Sequence, residues 1–487
     1  MQLPKQLPTR WLAMLGRVLR AGQARAQAAV RGVHGVAPDF WGNLQQEMVA
    51  GRQWVDRAVV LVYAVLTGLL VVGSTLLAEH AYQAFLLLRG TVPGGRWWAL
   101  AWTPAVTVLV LWCTRRWVPG ALGSGIPQVV RALENDLTPS QRSALVSLRL
   151  SLAKVVLVAG GMLAGLSIGR EGPTVQVGAG VMDHARRWLS PLSGIDSHDL
   201  MVAGAAAGIA ATFNTPLGGV IFAMEELSRR RGISHSALVI AAIVLSGLVS
   251  VSVFGNHTYF GELQVQRLNW HMFFPGLLVA LTAGLGGGLF SRLVVVSMRG
   301  LPDRVSGWRR SHPLRFAAGC GLAVAVIGLV TGQATAGAGY APTRDMLEGE
   351  AQLPGVFTLL KFCATWLSAW SGVPAGVFAP SLAVGAGVGR DIALLTGITG
   401  DAAIPLIALG MVGFLAAATQ APLTAFIIVM EMVSGHAMVL SLMASAMLAS
   451  GVSRLLARPM YEELAGLLRI APAAPQAGKL QPSAAGS

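Results

Sequence analysis

GREGPTVQVGAGV, residues 169–181, and GVFAPSLAVGAGV, residues 376–388, are two copies of one pattern. Each opens on glycine, sets proline four residues later and ends on the identical block VGAGV, with an offset of 207 from Gly169 to Gly376. Upstream, Lys154 and Lys361 keep the same offset. Downstream, TPLGGVIFAMEEL (215–227) meets APLTAFIIVMEMV (421–433) at an offset of 206, with Pro216-Leu217 against Pro422-Leu423 and Met224-Glu225 against Met430-Glu431. Three blocks in one order at a near-constant offset mark an internal duplication. The halves are residues 41–254 and 255–470, and the sequence leaves open whether they run parallel or inverted.

Both copies sit in apolar surroundings. Hydrophobic residues are 54% of the 487 and charged residues 12%, about half the charged share of a soluble domain. Residues 58–78, AVVLVYAVLTGLLVVGSTLLA, carry no charge and reach the about 20 residues that a bilayer span needs. Further apolar runs cover 99–113, 144–169, 201–223, 237–254, 271–290, 316–332 and, almost unbroken, 355–455. The fold class is an all-α polytopic membrane protein with at least ten membrane helices, some short and broken. A duplicated polytopic chain predicts a transporter whose substrate binds near the midplane, between the halves, on interrupted helices.

The net charge of +14 is not gathered into a nucleic-acid patch, and no nucleic-acid partner is expected. It falls in short clusters between apolar runs: Arg115-Arg116, Arg186-Arg187, Arg229-Arg230-Arg231 and Arg309-Arg310. Such clusters mark cytoplasmic loops. Residues 1–40 begin with six Lys/Arg and no acid up to Arg31, and lack a cleavable apolar core. They read as a basic cytoplasmic arm, partly an amphipathic helix on the membrane face. Residues 471–487, rich in Ala, Pro and Ser, read as a disordered tail with no soluble domain after it. Cys113, Cys320 and Cys363 lie in apolar runs without metal-ligand spacing and read as buried small hydrophobes.

Glycine and proline inside apolar sequence locate the chemistry. Proline is tolerated in the first helical turn, where no backbone donor is needed. Gly-x-x-x-Pro therefore reads as a loop opening into a helix, with Pro173 and Pro380 near two N-termini and Pro127 of GSGIP (123–127) near a third. Free N–H groups and the dipole make each end attractive to an anion. A charge at the membrane centre costs about 2.5–3.5 kcal/mol on insertion scales. One helix end returns up to about 2 kcal/mol. Several converging ends and a hydroxyl can offset the cost without a fixed Lys or Arg, and no cofactor or metal is expected. A single Gly/Pro break would be read as a kink, but three, two of them repeat-related, point to a site.

GSGIP, GREGP and GVFAP, in that order, resemble the three anion-site motifs of the CLC family of chloride channels and chloride/proton exchangers. The similarity runs from about Gly51 to Leu468. It implies a CLC-type fold of about eighteen uneven helices in two inverted halves, and a homodimer with one anion pathway per subunit. It further implies that Ser124 offers its hydroxyl to the anion, beside Gly125 and Ile126. Val377 and Phe378 would offer backbone N–H groups, and Tyr461, in RPMYEEL, its phenol. Lys154 and Arg170 would support the site. Tyr461 alone would read as an interfacial belt residue. Relatives often carry acids just after GSGIP, whereas here the next residues are Gln128, Val129 and Val130.

Two glutamates then stand out. Glu171 sits at a helix N-terminus inside GREGP, and its repeat partner is Phe378, so the block does not need an acid to fold. A carboxylate there competes with chloride for the same helix ends, and protonation lets it swing away. The plain alternative is a carboxylate that only steadies the helix dipole. Glu226 has Met432 as its repeat equivalent, whereas Glu225 has Glu431. By the resemblance, an acid at Glu226 is typical of exchangers, and Glu226 is the candidate internal proton acceptor. Glu225 reads as structural.

The function expected is secondary active exchange of chloride for protons, in a bacterial cytoplasmic membrane with cytoplasmic termini. The runner-up is a passive channel of the same fold. A third reading is exchange of another anion, since nitrate-selective relatives tend to have proline where Ser124 stands. An enzyme is not expected. Gly165–Gly169 spells GxSxG around Ser167, but in an apolar span and not at a strand-turn-helix elbow.

Overall fold

The computed structural model describes residues 51–468 except 92–94, 192, 230–231, 233–234, 256–258, 262–269 and 351–352. The basic arm (1–40) and the tail (471–487) lie outside the described residues. The chain divides into two units after Ala58, and the site lies wholly in the second.

The first half holds α1 (Gly51–Thr91), α2 (Gly95–Trp117), α3 (Ile126–Ala132), α4 (Pro139–Leu145), α5 (Leu148–Leu163), α6 (Glu171–His184), α7 (Ser197–Phe213), α8 (Pro216–Phe222) and α9 (Ser236–Phe254). A π turn, Ala223–Leu227, continues α8. The second half holds α10 (Phe273–Arg299), α11 (Arg304–Ser311), α12 (Pro313–Val330), α13 (Tyr340–Leu347), α14 (Phe357–Trp370), α15 (Phe378–Leu395), α16 (Ile404–Thr419), α17 (Pro422–Met432), α18 (Val439–Arg454) and α19 (Met460–Gly466). Among the described residues, nine helical segments are long and apolar enough to cross a membrane. Large apolar side chains stay exposed along them, such as Leu248 on α9, Phe274 and Leu285 on α10 and Val326 on α12. Lipid covers such faces, and helices satisfy their own backbone groups there.

The duplicated blocks explain themselves in packing. In VGAGV, Gly178 of α6 lies against Gly204 of α7, where an added Cβ would fall 2.0 Å from Gly204 O. In the second copy Gly385 of α15 meets Gly410 of α16, with 2.3 Å to Gly410 O. Membrane helices gain dispersion contact by this close approach, because lipid removes the hydrophobic drive between them. The hairpins also end alike, on Asn214 (φ 58°) after α7 and Gln420 (φ 57°) after α16. Both offsets are those of the sequence repeat.

The halves are inverted. Gly169 and Gly376, the first residues of the two motifs, form an antiparallel bridge. Gly169 N donates to Gly376 O at 2.7 Å, and Gly376 N donates to Gly169 O at 2.9 Å. Equivalent positions exchanging equivalent bonds is the contact a two-fold axis makes. Around the bridge the starts of α3, α6 and α15 come together, since Gly172 lies against both Ser124 and Gly376.

Candidate anion site

The GSG loop (123–125) is pinned from below. Gly125, at φ 111°, caps α3 in a conformation that L side chains avoid, and a Cβ there would lie 2.6 Å from Gly172 O. Gly125 N donates to Gln128 Oε1 at 2.9 Å, and Gln128 Nε2 donates to Leu122 O. Lys154, fully buried, donates to Gly123 O at 3.0 Å and to Gln176 Oε1 at 2.5 Å. Gln176 Nε2 donates in turn to Gly120 O (3.0 Å) and Leu145 O (2.6 Å). The buried lysine thus has carbonyl and amide partners that its apolar stretch of sequence gave no sign of.

Two hydroxyls in this region, Ser124 Oγ and Tyr461 Oη, are buried without a hydrogen-bond partner among the described residues. Leaving a buried polar atom unpaired costs about 1–3 kcal/mol. Both residues line one cavity of about 450 Å³, together with Val377 and Met460. Val377 caps α15 and Phe378 is its first residue. The Phe378 ring stacks on Tyr461, with centroids 6.4 Å apart and planes 5° apart. Arg115, Arg309 and Arg310 also line the cavity. Ile126 opens α3 and is fully buried.

Glu171 opens α6 and is fully buried. Its neighbour Gly172 faces Ser124, whose Oγ would lie 2.3 Å from a Cβ at that glycine. Glu171 Oε2 accepts from Ala379 N at 3.4 Å, and Oε1 accepts from the Tyr340 phenol. The carboxylate thus lies on the N-terminus of α15. Ala379 and Tyr340 were not among the residues singled out from sequence. Arg170 points elsewhere: its guanidinium donates to Tyr259 Oη and to Thr75 O (3.3 Å), lies 3.5 Å from Glu79 and sits 5.1 Å over the Tyr340 ring.

Glu226 lies in the π turn after α8, 4% exposed. Arg229 Nη2 lies 3.0 Å from Glu226 Oε2, while Arg229 also reaches Glu462 on α19 and Gln420 O. Glu226 lines a second cavity, about 390 Å³, with Glu134, Asp136, His198, Arg229 and Glu462. At its rim Asp136 forms two hydrogen bonds with Arg131 (2.7 and 2.8 Å), which hold its carboxyl below the usual range. Glu225 does something different. Its carboxylate accepts from Leu423 N (3.1 Å) and Thr424 N (2.6 Å), capping α17. Glu431 accepts from Leu217 N (3.2 Å) and Gly218 N (2.7 Å), capping α8.

The structure thus gathers Ser124, Val377 and Tyr461 on one cavity, with Glu171 beside Ser124. Lys154 stands behind the loop, and Glu226 is in a separate cavity. Asp196, His198 and Asp199 bring potential ligand atoms within 4.8 Å of one another. Asp196 is the N-cap of α7 and His235 engages Asp199 at 3.0 Å, so capping and pairing account for that group.

Interrupted helices meeting at a cavity that holds two buried hydroxyls, in an inverted duplication, define a multi-pass integral membrane protein of the transporter and channel class. The chain belongs to the CLC family: the family model described as voltage gated chloride channel matches residues 106–454. The H(+)/Cl(-) exchange transporter ClcA of Vibrio parahaemolyticus is 29% identical over 390 residues, 74% of this chain and 79% of that protein. The ClcA of Citrobacter koseri is 29% identical over 408 residues, 80% and 83% of the two chains. Among solved structures, a slow cyanobacterial Cl-/H+ antiporter matches with a TM-score of 0.70 at 23% identity, over 84% of this chain and 97% of that one. A eukaryotic CLC transporter matches with 0.69 at 21% identity, over 85% and 74%.

Proposed function

We propose that the chain exchanges chloride for protons, with Glu171 as a carboxylate gate and Glu226 as the internal proton acceptor. The observation that carries the anion site is the pair of unpaired buried hydroxyls, Ser124 Oγ and Tyr461 Oη, on one cavity at the start of α15. A dehydrated anion completes both hydroxyls and meets the helix end. Ser124, Gly125 and Ile126 form the loop at one wall of the site, and Val377, Phe378 and Tyr461 form the other. Lys154 holds the loop in shape, and Arg170 supports the residues beside Glu171.

The names of the relatives support exchange over simple conduction. So does a buried acid at Glu226 in a cavity apart from the anion site. The arginines that line the cavity of Ser124 and Tyr461 support a cytoplasmic opening there. The working unit is a homodimer in the lipid bilayer of a bacterial cytoplasmic membrane, with both termini inside.

Chloride titration by calorimetry on detergent-solubilised protein tests the site. Ser124→Ala combined with Tyr461→Phe should weaken binding about tenfold, or about 1.4 kcal/mol. Unchanged binding would move the site elsewhere.

A further inference from the structure

The GSG loop has a structural twin. Gly337-Ala338-Gly339 precedes α13 as Gly123-Ser124-Gly125 precedes α3. All four glycines have positive φ: Gly123 (71°) beside Gly337 (63°), and Gly125 (111°) beside Gly339 (90°). Each second glycine caps the helix that follows. Each loop is held by the repeat-related buried lysine: Lys154 donates to Gly123 O, and Lys361 donates to Gly337 O and Thr335 O, both at 2.9 Å. The twin of Ser124 is Ala338, which has no hydroxyl to give. The residue two places on supplies one instead. Tyr340, the first residue of α13, donates its phenol to Glu171 Oε1.

The phenol is held for that contact. A Cβ on Gly339 would lie 2.6 Å from Ala383 Cβ, so the loop sits directly on α15. The Tyr340 ring packs on Tyr259 at 4.7 Å, and Arg170 covers it at 5.1 Å. Tyr259 accepts from Arg170 through its phenol and from Arg344 through its carbonyl. With Ala379 N on the other oxygen, both oxygens of Glu171 are engaged.

We propose that Tyr340 is a positioning residue that latches Glu171 over the N-terminus of α15. The inference rests on the reading of Glu171 as the gate. A charge-assisted bond favours the carboxylate that occupies the anion's place, so the latch makes Glu171 a stronger competitor of chloride. Arg170 and Tyr259 act through the Tyr340 ring. The inverted repeat then presents hydroxyls to one pathway from both halves: Ser124 to the anion, and Tyr340 to the group that displaces it.

The test is a double-mutant cycle read by chloride calorimetry at neutral pH. Tyr340→Phe keeps the ring and its packing and removes only the donor. It should tighten chloride binding about tenfold with Glu171 in place, and change it less than about twofold in the Glu171→Ala background. Alanine is used there because a glutamine amide would still accept from the phenol. Unchanged binding with Glu171 in place overturns the latch. An equal shift in both backgrounds also overturns it, since the ring would then act on the site by packing alone. If Glu171→Ala itself leaves chloride binding as in wild type, the gate fails and the latch with it, an outcome distinct from the other two.

Discussion

Glu171, Ser124 and Glu226 each carry a separable prediction, because the proposed mechanism gives each a different task. Glu171→Gln removes the charge proposed to compete with chloride, at nearly constant volume. Chloride flux in liposomes should persist, lose most of its pH dependence and carry no coupled protons. Wild-type coupling in that variant would remove Glu171 from the mechanism. Ser124→Pro removes one of the two unpaired hydroxyls from the cavity and should raise nitrate flux relative to chloride. An unchanged ratio would mean that the anion does not meet Ser124. Glu226→Gln leaves the Ser124 cavity untouched and should abolish proton movement while chloride flux continues. Glycine and proline made the helix starts at Ile126, Glu171 and Phe378 legible, whereas Ser124 and Val377 were singled out only by the family resemblance of those motifs. Tyr340 was not legible, because it meets Glu171 across 169 residues. The signal that could have found it is GAG at 337–339, the echo of GSG, with Lys361 downstream as Lys154 follows the first copy.

The reciprocal caps of Glu225 on α17 and Glu431 on α8 tie one half to the other at the level of whole elements. Each carboxylate satisfies two N–H groups that a helix start leaves free. The sequence hinted at this, since only Glu225 has an acid as its repeat partner, but a spacing cannot say which helix end a carboxylate reaches. Glu431→Ala should cost about 1 kcal/mol of stability, seen as a lower melting temperature in detergent. Chloride and proton flux per folded protein should keep their wild-type ratio. A changed ratio at unchanged melting would give these acids a role in transport instead of in helix capping.

Across the whole molecule, the inversion of the halves sets everything else. Composition and apolar runs made the membrane class legible, and the offset of the repeat made two halves legible. Neither could decide parallel from inverted, because both orientations give the same self-similarity. What the structure adds is a local two-fold relation between the halves at the Gly169–Gly376 bridge. A Cβ on Gly376 would fall 2.8 Å from Gly169 O and 3.1 Å from Gly172 N. Gly376→Ala should therefore cost about 1–3 kcal/mol by overpacking and reduce chloride flux. Wild-type melting and flux together would mean that the bridge yields without consequence.

In the proposed mechanism two carboxylates, Glu171 and Glu226, couple chloride to protons. Purified wild-type protein in liposomes, with a chloride gradient imposed and the external pH recorded, tests it most directly. Protons should be driven against their own gradient, opposite to chloride, with the movement lost in Glu226→Gln while chloride still flows. Chloride movement in wild type with no uphill proton flux would contradict it and make the protein a passive channel of the same fold.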